Sequence, residues 1–190
     1  MEQIRQHFER AIQQTIVDEE WAFFVSKLSR HAFPKKHVLL KTGQVENHLS
    51  FVETGILRYY LPKLENDLTF NFVFENSFTS GYDSFLTRAP STYHIETLTP
   101  TTLWRLTYED LQSIYRETEV GNLIGRQASE DLYLKKTKRE LSLLNESAEQ
   151  RYQNLFTEQP HLLQHIPLKY IASYIGVTPQ ALSRIRRRIT

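Results

Sequence analysis

The chain has 190 residues, of which 40% are hydrophobic and 24% charged, with a formal net charge of +1. That is apolar material for one large domain or two small ones, and the near-neutral balance gives no global sign of a polyanionic partner. There is no cysteine, which excludes disulfides, thiolate zinc sites and cysteine-ligated iron–sulfur clusters made from this chain and fits a cytoplasmic protein.

The N-terminus, Met1 to Phe8, mixes charged and apolar residues and has no signal-peptide character, and no apolar run approaches membrane-spanning length. Residues 2–14 set Ile4, Phe8, Ala11 and Ile12 at helical spacing. Asp18 is expected to cap a second helix that runs through Leu28, with Trp21, Phe24, Val25 and Leu28 on its apolar face. Glu19-Glu20, and later Glu109-Asp110, read as first-turn acids stabilised by the helix dipole rather than as acid/base pairs.

From about His31 to Thr107 the pattern changes to short strands. Val38–Leu40 stops at Gly43, Leu49–Glu53 stops at Gly55, Ile56–Leu61 precedes a turn over Pro62–Asp67, and Leu68–Phe74 alternates and is rich in Phe. Tyr93–Leu98 alternates before Thr99-Pro100, and Leu103–Leu106 ends the run. Short strands with regular Gly/Pro punctuation point to a β-sandwich or jelly roll. The aromatics Phe70, Phe72, Phe74, Phe78, Tyr82 and Phe85 then belong to its core rather than to a base-stacking platform. Thr107 caps a short helix, Tyr108–Tyr115.

From Thr118 to Leu144 the pattern is helical without proline. Val120, Ile124, Gln127, Asp131, Leu134, Lys138 and Leu141 fall at alternating spacings of four and three, an imperfect seam with four apolar members. Leu132, Leu143 and Leu144 add apolar surface beside it. The helix either packs on its own barrel or meets a second copy, and the second reading is preferred because helix-turn-helix proteins usually read two half-sites as dimers. Asn145–Phe156 is a further helix, ended by Gln159-Pro160.

The last thirty residues carry the strongest pattern. Leu168, Ile171, Ala172 and Ile175 form one short helical stripe, Gly176 supplies the turn, Thr178 and Pro179 start a second helix, and Leu182, Ile185 and Ile189 form its stripe. Gln180, Ser183, Arg184 and Arg187 fall on another face of that second helix. From His161 to Thr190 there are five Lys/Arg and no Asp or Glu. A packing hairpin with a solvated basic end would show the same stripes. The small Ala172, the spacing to Gly176 and Leu182, and the local charge favour a helix-turn-helix with a recognition helix.

In this order the pieces resemble the Crp/Fnr superfamily of bacterial transcription regulators, from about Phe33 to Ile189. The anchors are Gly43, Glu53-Thr54-Gly55-Ile56-Leu57-Arg58 and Ile166–Ile189. The short regulators of Bacteroidetes with a degenerate cyclic-nucleotide-binding domain are most similar. The resemblance implies an α+β chain: a cyclic-nucleotide-binding-type jelly roll with flanking helices over 1–117, a long dimerisation helix over 118–144, and a helix-turn-helix domain over 145–190. It implies a homodimer on double-stranded DNA, with RNA polymerase as a further partner. Base reading falls to Pro179, Gln180, Ser183 and Arg184, and phosphate contact to Lys169, Thr178, Arg187 and Arg188. Arg184 retains the family's arginine and is suited to a bidentate contact with guanine. Gln180 stands where many relatives have Glu, and Pro179 where some have Arg, so a different half-site is expected. Many relatives continue into a β-hairpin wing; the chain stopping at Thr190 is expected to lack those phosphate contacts.

Family members that bind cAMP carry a Gly-Glu pair for the ribose and an Arg-Ser or Arg-Thr pair for the phosphate. Here Ser80-Gly81 and Ser91-Thr92 occupy those positions, and Arg88 lies three residues early. Burying a phosphate without a paired cation is costly. Cyclic AMP is therefore not the expected ligand; the pocket binds another small effector, stands empty or is filled by side chains. Ser80, Gly81, Tyr82, Ser91, Thr92 and Arg105 are the candidate lining. Each has a local alternative, such as Arg105 in a salt bridge on the barrel surface.

No metal, haem or other cofactor is expected. The seven histidines show no close ligand spacing beyond His161 and His165, a pair better read as polarity at a helix end, and neither His94 nor His48 has a haem motif around it. No nucleophile–base–acid set is apparent, and a cupin-like enzyme would need a histidine-rich metal motif. The competing reading is a ligand-binding or protein-interaction module whose terminal helices serve dimerisation.

Overall fold

The computed structural model describes residues 1–189, with the backbone alone for Gln3; Thr190, and with it the expectation about a wing, lies outside the described residues. Two compact units result, residues 1–59 with 72–132, and residues 60–71 with 133–190. The division therefore falls within the long helix, and the tip of a β-hairpin goes with the C-terminal unit.

The first unit begins with α1 (Glu2–Ile12) and α2 (Asp18–Ser26). Asp18 does not cap α2: Val17 precedes the helix, no side chain caps it, and the Asp18 carboxylate pairs with Arg5 Nη2 at 2.6 Å. The strands are β1 (Ser29–Phe33), β2 (Val38–Leu40), β3 (His48–Thr54), β4 (Leu57–Leu61), β5 (Leu68–Val73), β6 (Phe78–Thr79), β7 (His94–Thr97) and β8 (Thr101–Thr107). They form two four-stranded sheets, β1-β8-β3-β6 and β2-β7-β4-β5. This is the expected sandwich, with β1 and β6 as additions. β1 shows no alternation because almost all of it is exposed, and β6 is two residues long.

Alternation decides which face of the first sheet meets what. Phe51, Trp104 and Leu106 turn towards the helices, where Phe8, Trp21, Phe24 and Phe85 complete an aromatic core. Phe8 meets Phe51 edge-on and stacks on Phe78, both at 5.4 Å between ring centroids. Buried side chains of this size contribute roughly 1.5–3 kcal/mol each, so this cluster ties the N-terminal helices to the sheet. Val52 and Leu103 turn the other way, into the space between the sheets.

α3 (Tyr82–Thr87) lies between β6 and β7, and α4 (Tyr108–Glu117) follows β8. α4 starts at the expected cap, a reciprocal capping box between Thr107 and Asp110. α5 (Glu119–Asn145) is the expected long helix. Its first two amides, Glu119 N and Val120 N, donate to the Glu20 carboxylate at 2.9 and 3.2 Å. Val120 and Ile124, the first two seam positions, are buried in the aromatic core of their own unit.

In the second unit, α6 (Ala148–Glu158) starts later than expected because Asn145 still belongs to α5 and a Ser147/Gln150 capping box sets the new start. Pro160 opens α7 (Pro160–His165), where only the end of α6 was anticipated; a proline fits a first helical turn because its missing N–H has no intrahelical partner there. α8 (Leu168–Tyr174) and α9 (Pro179–Ile189) complete the unit.

The turn between β3 and β4 holds a specific test of the sandwich. Gly55 has φ +107°, and a Cβ there would lie 2.8 Å from Thr101 Cα. Gly55→Ala is expected to destabilise the first unit by about 2–4 kcal/mol, combining backbone strain with overpacking against a neighbouring main chain. Urea unfolding should show a lowered midpoint at unchanged slope.

Candidate functional site

α8 and α9 are joined by a turn whose hydrogen bonds follow from one glycine. Gly176 has φ +81°; its N–H donates to Ser173 O at 3.1 Å, and Val177 N donates to Ala172 O at 2.9 Å. That pair of bonds is a Schellman ending, which closes α8 and redirects the chain. Thr178 Oγ1 then accepts from Ala181 N at 3.2 Å, capping α9. Ile171, Ala172, Ile175, Leu182 and Ile185 are buried together with Tyr152, Leu155, Leu162 and Ile166.

With that stripe inward, the other face of α9 is exposed. Gln180, Ser183, Arg184 and Arg187 all lie on it, and Pro179 stands at its start. The Ser183 hydroxyl donates to Pro179 O at 3.0 Å, leaving its oxygen lone pairs outward. Lys169, on α8, is exposed with its ammonium 4.7 Å from the Tyr170 ring centroid. Arg188 is set apart by an exposed ion pair with Glu149 of α6 at 2.8 Å.

Three further side chains, Arg139, Arg151 and Ser173, hold this pair of helices, and sequence reasoning missed them. The Arg139 guanidinium stacks on the Tyr174 ring at 4.0 Å and donates to Tyr174 O. Arg151 Nε donates to Ile175 O at 3.0 Å, and its Nη1 to Glu146 O. The last carbonyls of α8 thus receive two cationic donors, which satisfy groups that the helix leaves open and complement its dipole. The Ser173 hydroxyl accepts from Thr69 N at 2.7 Å and donates to Asp67 O at 2.5 Å, fixing the hairpin tip to α8. The one available signal was Ser173 itself, a hydroxyl within an apolar helical run.

The structure separates the candidate pocket residues of the sandwich. Ser80 is held by Tyr59, whose hydroxyl accepts from Ser80 N at 3.0 Å and lies 2.6 Å from Thr79 Oγ1; Ser80 Oγ donates to His48 O at 3.0 Å. Burial pushes the Tyr59 phenol up to about 12. Gly81 N donates at 3.3 Å to the buried Glu46 carboxylate, which also accepts from His48 N at 3.0 Å. Ser91 is buried and bonded to Tyr93 main-chain atoms, Thr92 is exposed, and Tyr82 stacks on Phe85 at 6.2 Å. Tyr93 donates to Asp83, and burial followed by that bond raises its phenol. Arg88 donates to Glu46 O at 2.8 Å and to Asn47 Oδ1 at 2.6 Å. Arg105 is not with the others: it lies on β8, facing the space between the sheets rather than forming a surface salt bridge.

The described chain thus runs from a two-layered β-domain through a long helix to a basic helix-turn-helix. Residues 30–118 match the cyclic nucleotide-binding domain family. Solved structures cover nearly the whole chain at low identity. Thermus thermophilus catabolite activator protein is 20% identical over 94% of this chain and 86% of its own, with a TM-score of 0.57. The c-di-GMP-responsive global regulator CLP of Xanthomonas campestris is 16% identical over 91% of both chains, with a TM-score of 0.70. A protein of Eubacterium rectale assigned to the Crp/Fnr family is 16% identical over 92% of this chain and 83% of its own, at 0.64. No curated protein matches the chain in sequence. The N-terminal part is thus a cyclic-nucleotide-binding-type domain, and the fold is that of the Crp/Fnr transcription regulators. No described helix is long and apolar enough to cross a membrane.

His48 gives a pH test of the sandwich. Burial first, then the charges of Arg105 and His31, depress its imidazole to about 4, against an ordinary value of 6.5. Between those values the unfolded chain binds more protons, so stability falls as pH drops from about 6.5 to about 4 and levels off below. His48 is half-exposed, so the contribution should be on the order of 1–2 kcal/mol rather than the full value of the shift. Urea unfolding of His48→Gln should show a shallower acid decline than the parent over that window.

Proposed function

We propose that the chain is a sequence-specific DNA-binding transcription regulator that acts in the cytoplasm as a homodimer, and is not an enzyme. The observation that carries this reading is α9, whose buried Leu182 and Ile185 leave Gln180, Ser183, Arg184 and Arg187 together on an exposed face. A capped, exposed helix of this kind fits a major groove with its first turns against base edges. Arg184 takes guanine through two parallel hydrogen bonds, Gln180 takes adenine, and Ser183 accommodates either. Pro179 begins the helix at the groove. Lys169 and Arg187 are free for phosphates; Arg188 exchanges Glu149 for a phosphate at little cost, since exposed pairs contribute about 0–1 kcal/mol. Thr178 positions the helix through its cap and meets phosphate with its remaining acceptor–donor hydroxyl. RNA polymerase is the further partner that this function implies.

The second half of α5 supports the dimer. Tyr133, Leu134, Leu141 and Leu144 occupy one side of it, and Leu134 and Leu141 are 63% and 51% exposed. They are the later seam positions; the earlier ones, Val120 and Ile124, are used within their own unit. A second copy meeting this stretch would bury apolar surface that water otherwise solvates. Relatives of the same fold being transcription regulators supports the assignment away from catalysis.

The regulator does not respond to cAMP in the usual way. A cyclic phosphate at the α3 cassette would meet the Glu46 carboxylate, and Arg88 is committed to Glu46 O and Asn47. Ser91-Thr92 supplies no cation in its place.

Selection of bound sites from random duplexes tests the function and defines the operator. Arg184→Ala should lower affinity for the selected site by about 1–3 kcal/mol and leave weak, salt-sensitive binding to random DNA intact. Equal loss on both duplexes by fluorescence anisotropy would remove the base-reading role. Leu134→Glu/Leu141→Glu should sediment as a monomer and bind a single-half-site probe no worse than the parent does. If the parent gives no shift on any duplex at low salt, the terminal helices serve an interaction module instead.

A further inference from the structure

We propose that the space between the two sheets holds a binding site for a small oxyanion, a carboxylate or phosphate group, with Arg105 as its cationic ligand.

The sheet register places the groups. Arg105 of β8 lies opposite Ser29 of β1 on one side and Ser50 of β3 on the other, and Ser50 lies opposite Thr79 of β6. Directly paired residues on antiparallel strands project to the same face. Ser29, Arg105, Ser50 and Thr79 therefore form one polar row across the first sheet. The face is the inner one, because Tyr59 of β4, in the other sheet, brings its hydroxyl to 2.6 Å from Thr79 Oγ1. Trp104 and Leu106, on either side of Arg105, turn outward to the aromatic core. His31 and His48 stand on the same inner face, opposite Leu103 and Thr107 respectively.

A sandwich interior is ordinarily apolar, so the buried Ser50 and Thr79 beside a half-buried arginine call for a reason; Ser29, at the exposed edge, donates its hydroxyl to Arg105 O at 3.2 Å. Arg105 is half-buried, and its Nε is buried without a hydrogen-bond partner among the described residues. Its guanidinium centre lies 5.7 Å from the Phe33 ring centroid. The acid within its field is Glu46, but that carboxylate already accepts from His48 N and Gly81 N. Burial lowers the Arg105 pKa, and Arg105 and His31 together help to hold His48 neutral. The pattern is that of a cationic site short of an anion: charge-assisted bonds to an oxyanion would satisfy Nε and offset the burial. Access is open on the β1 side, where β1 is the edge strand and His31 is exposed.

Thr79 and Glu46 border on the α3 cassette, where they are already bonded, whereas Arg105 and Ser50 take no part in it. The site deepens the sensor side of the proposed function, yet it stands whether or not the chain binds DNA, so the test reads the anion directly. The ring resonances of His31 and His48 in the full chain, assigned with His31→Gln and His48→Gln, would be followed by NMR. Inorganic phosphate and acetate would be titrated separately, with sodium chloride holding ionic strength constant. The expected result is a saturable shift of both rings with at least one anion, lost in Arg105→Gln and retained with weaker affinity in Arg105→Lys. Saturation by phosphate alone assigns a phosphoryl ligand, and by acetate alone a carboxylate. Absence of saturation with both anions, or the same saturation in Arg105→Gln, overturns the proposal. Should Arg105→Gln fail to fold, Arg105→Lys decides: an affinity equal to the parent's would sink the role of the guanidinium.

Discussion

The carboxyl end of α8 is the point on which the placing of the exposed face of α9 depends. Tyr174 O and Ile175 O would be open acceptors at a helix terminus packed among apolar side chains, and such groups cost free energy unless partnered. Arg139 and Arg151 reach them, and the Schellman turn at Gly176 satisfies Ala172 O and Ser173 O. The four bonds are mutually dependent, because the turn presents the carbonyls in the direction from which the arginines come. Since α9 starts three residues beyond Gly176, its direction is fixed by the same bonds. The face carrying Arg184 is therefore oriented by residues as distant in sequence as Arg139.

The same logic separates what was legible in the sequence from what was not. The helix-turn-helix was legible because each of its parts is local: stripes at helical spacing, a glycine at the turn, a cap at Thr178. The long helix and most strands were legible for the same reason. β1 was not, because an exposed edge strand has no alternation to display, and β6 is too short to have any. α7 was hidden by Pro160, which reads equally as a stop and as a first turn. Residues acting through long-range bonds, such as Arg139, Arg151 and Glu20, carry no local mark; an arginine on an amphipathic helix looks the same whether it caps a distant helix or faces water. Among the pocket candidates, Ser80, Gly81 and Ser91 flank one short helix in sequence, whereas only strand register places Arg105 elsewhere.

The segment around α3 is a frame whose polar groups are bonded largely to one another. Glu46 comes from the loop before β3 and accepts the amide of Gly81 at the start of α3; Tyr59, Thr79 and Ser80 close on one another; Arg88 folds back on Glu46 O and Asn47. Ser80, Gly81 and Arg88, which could meet a ligand, thus all have internal partners. A ligand must replace those bonds before it gains any of its own, so the frame alone predicts little about affinity. A pocket whose groups are paired is stable without a ligand, whereas a row holding an unpaired guanidinium Nε, as at Arg105, gains from one.

α5 makes a similar division along a single helix. Its first turns are consumed locally: Glu20 takes the leading amides, and Val120 and Ile124 enter the aromatic core. Beyond Leu132 the helix belongs to the other compact unit, and there Tyr133, Leu134, Leu141 and Leu144 stay exposed while Arg139 turns in to serve α8. A single exposed leucine needs no explanation, but several on one side of a helix that also braces α8 do. A second copy covering that side would bury it and, through Arg139 and Tyr174, constrain the two recognition helices together. Dimerisation and operator geometry would then rest on the same two turns of α5, with no separate device needed to couple them.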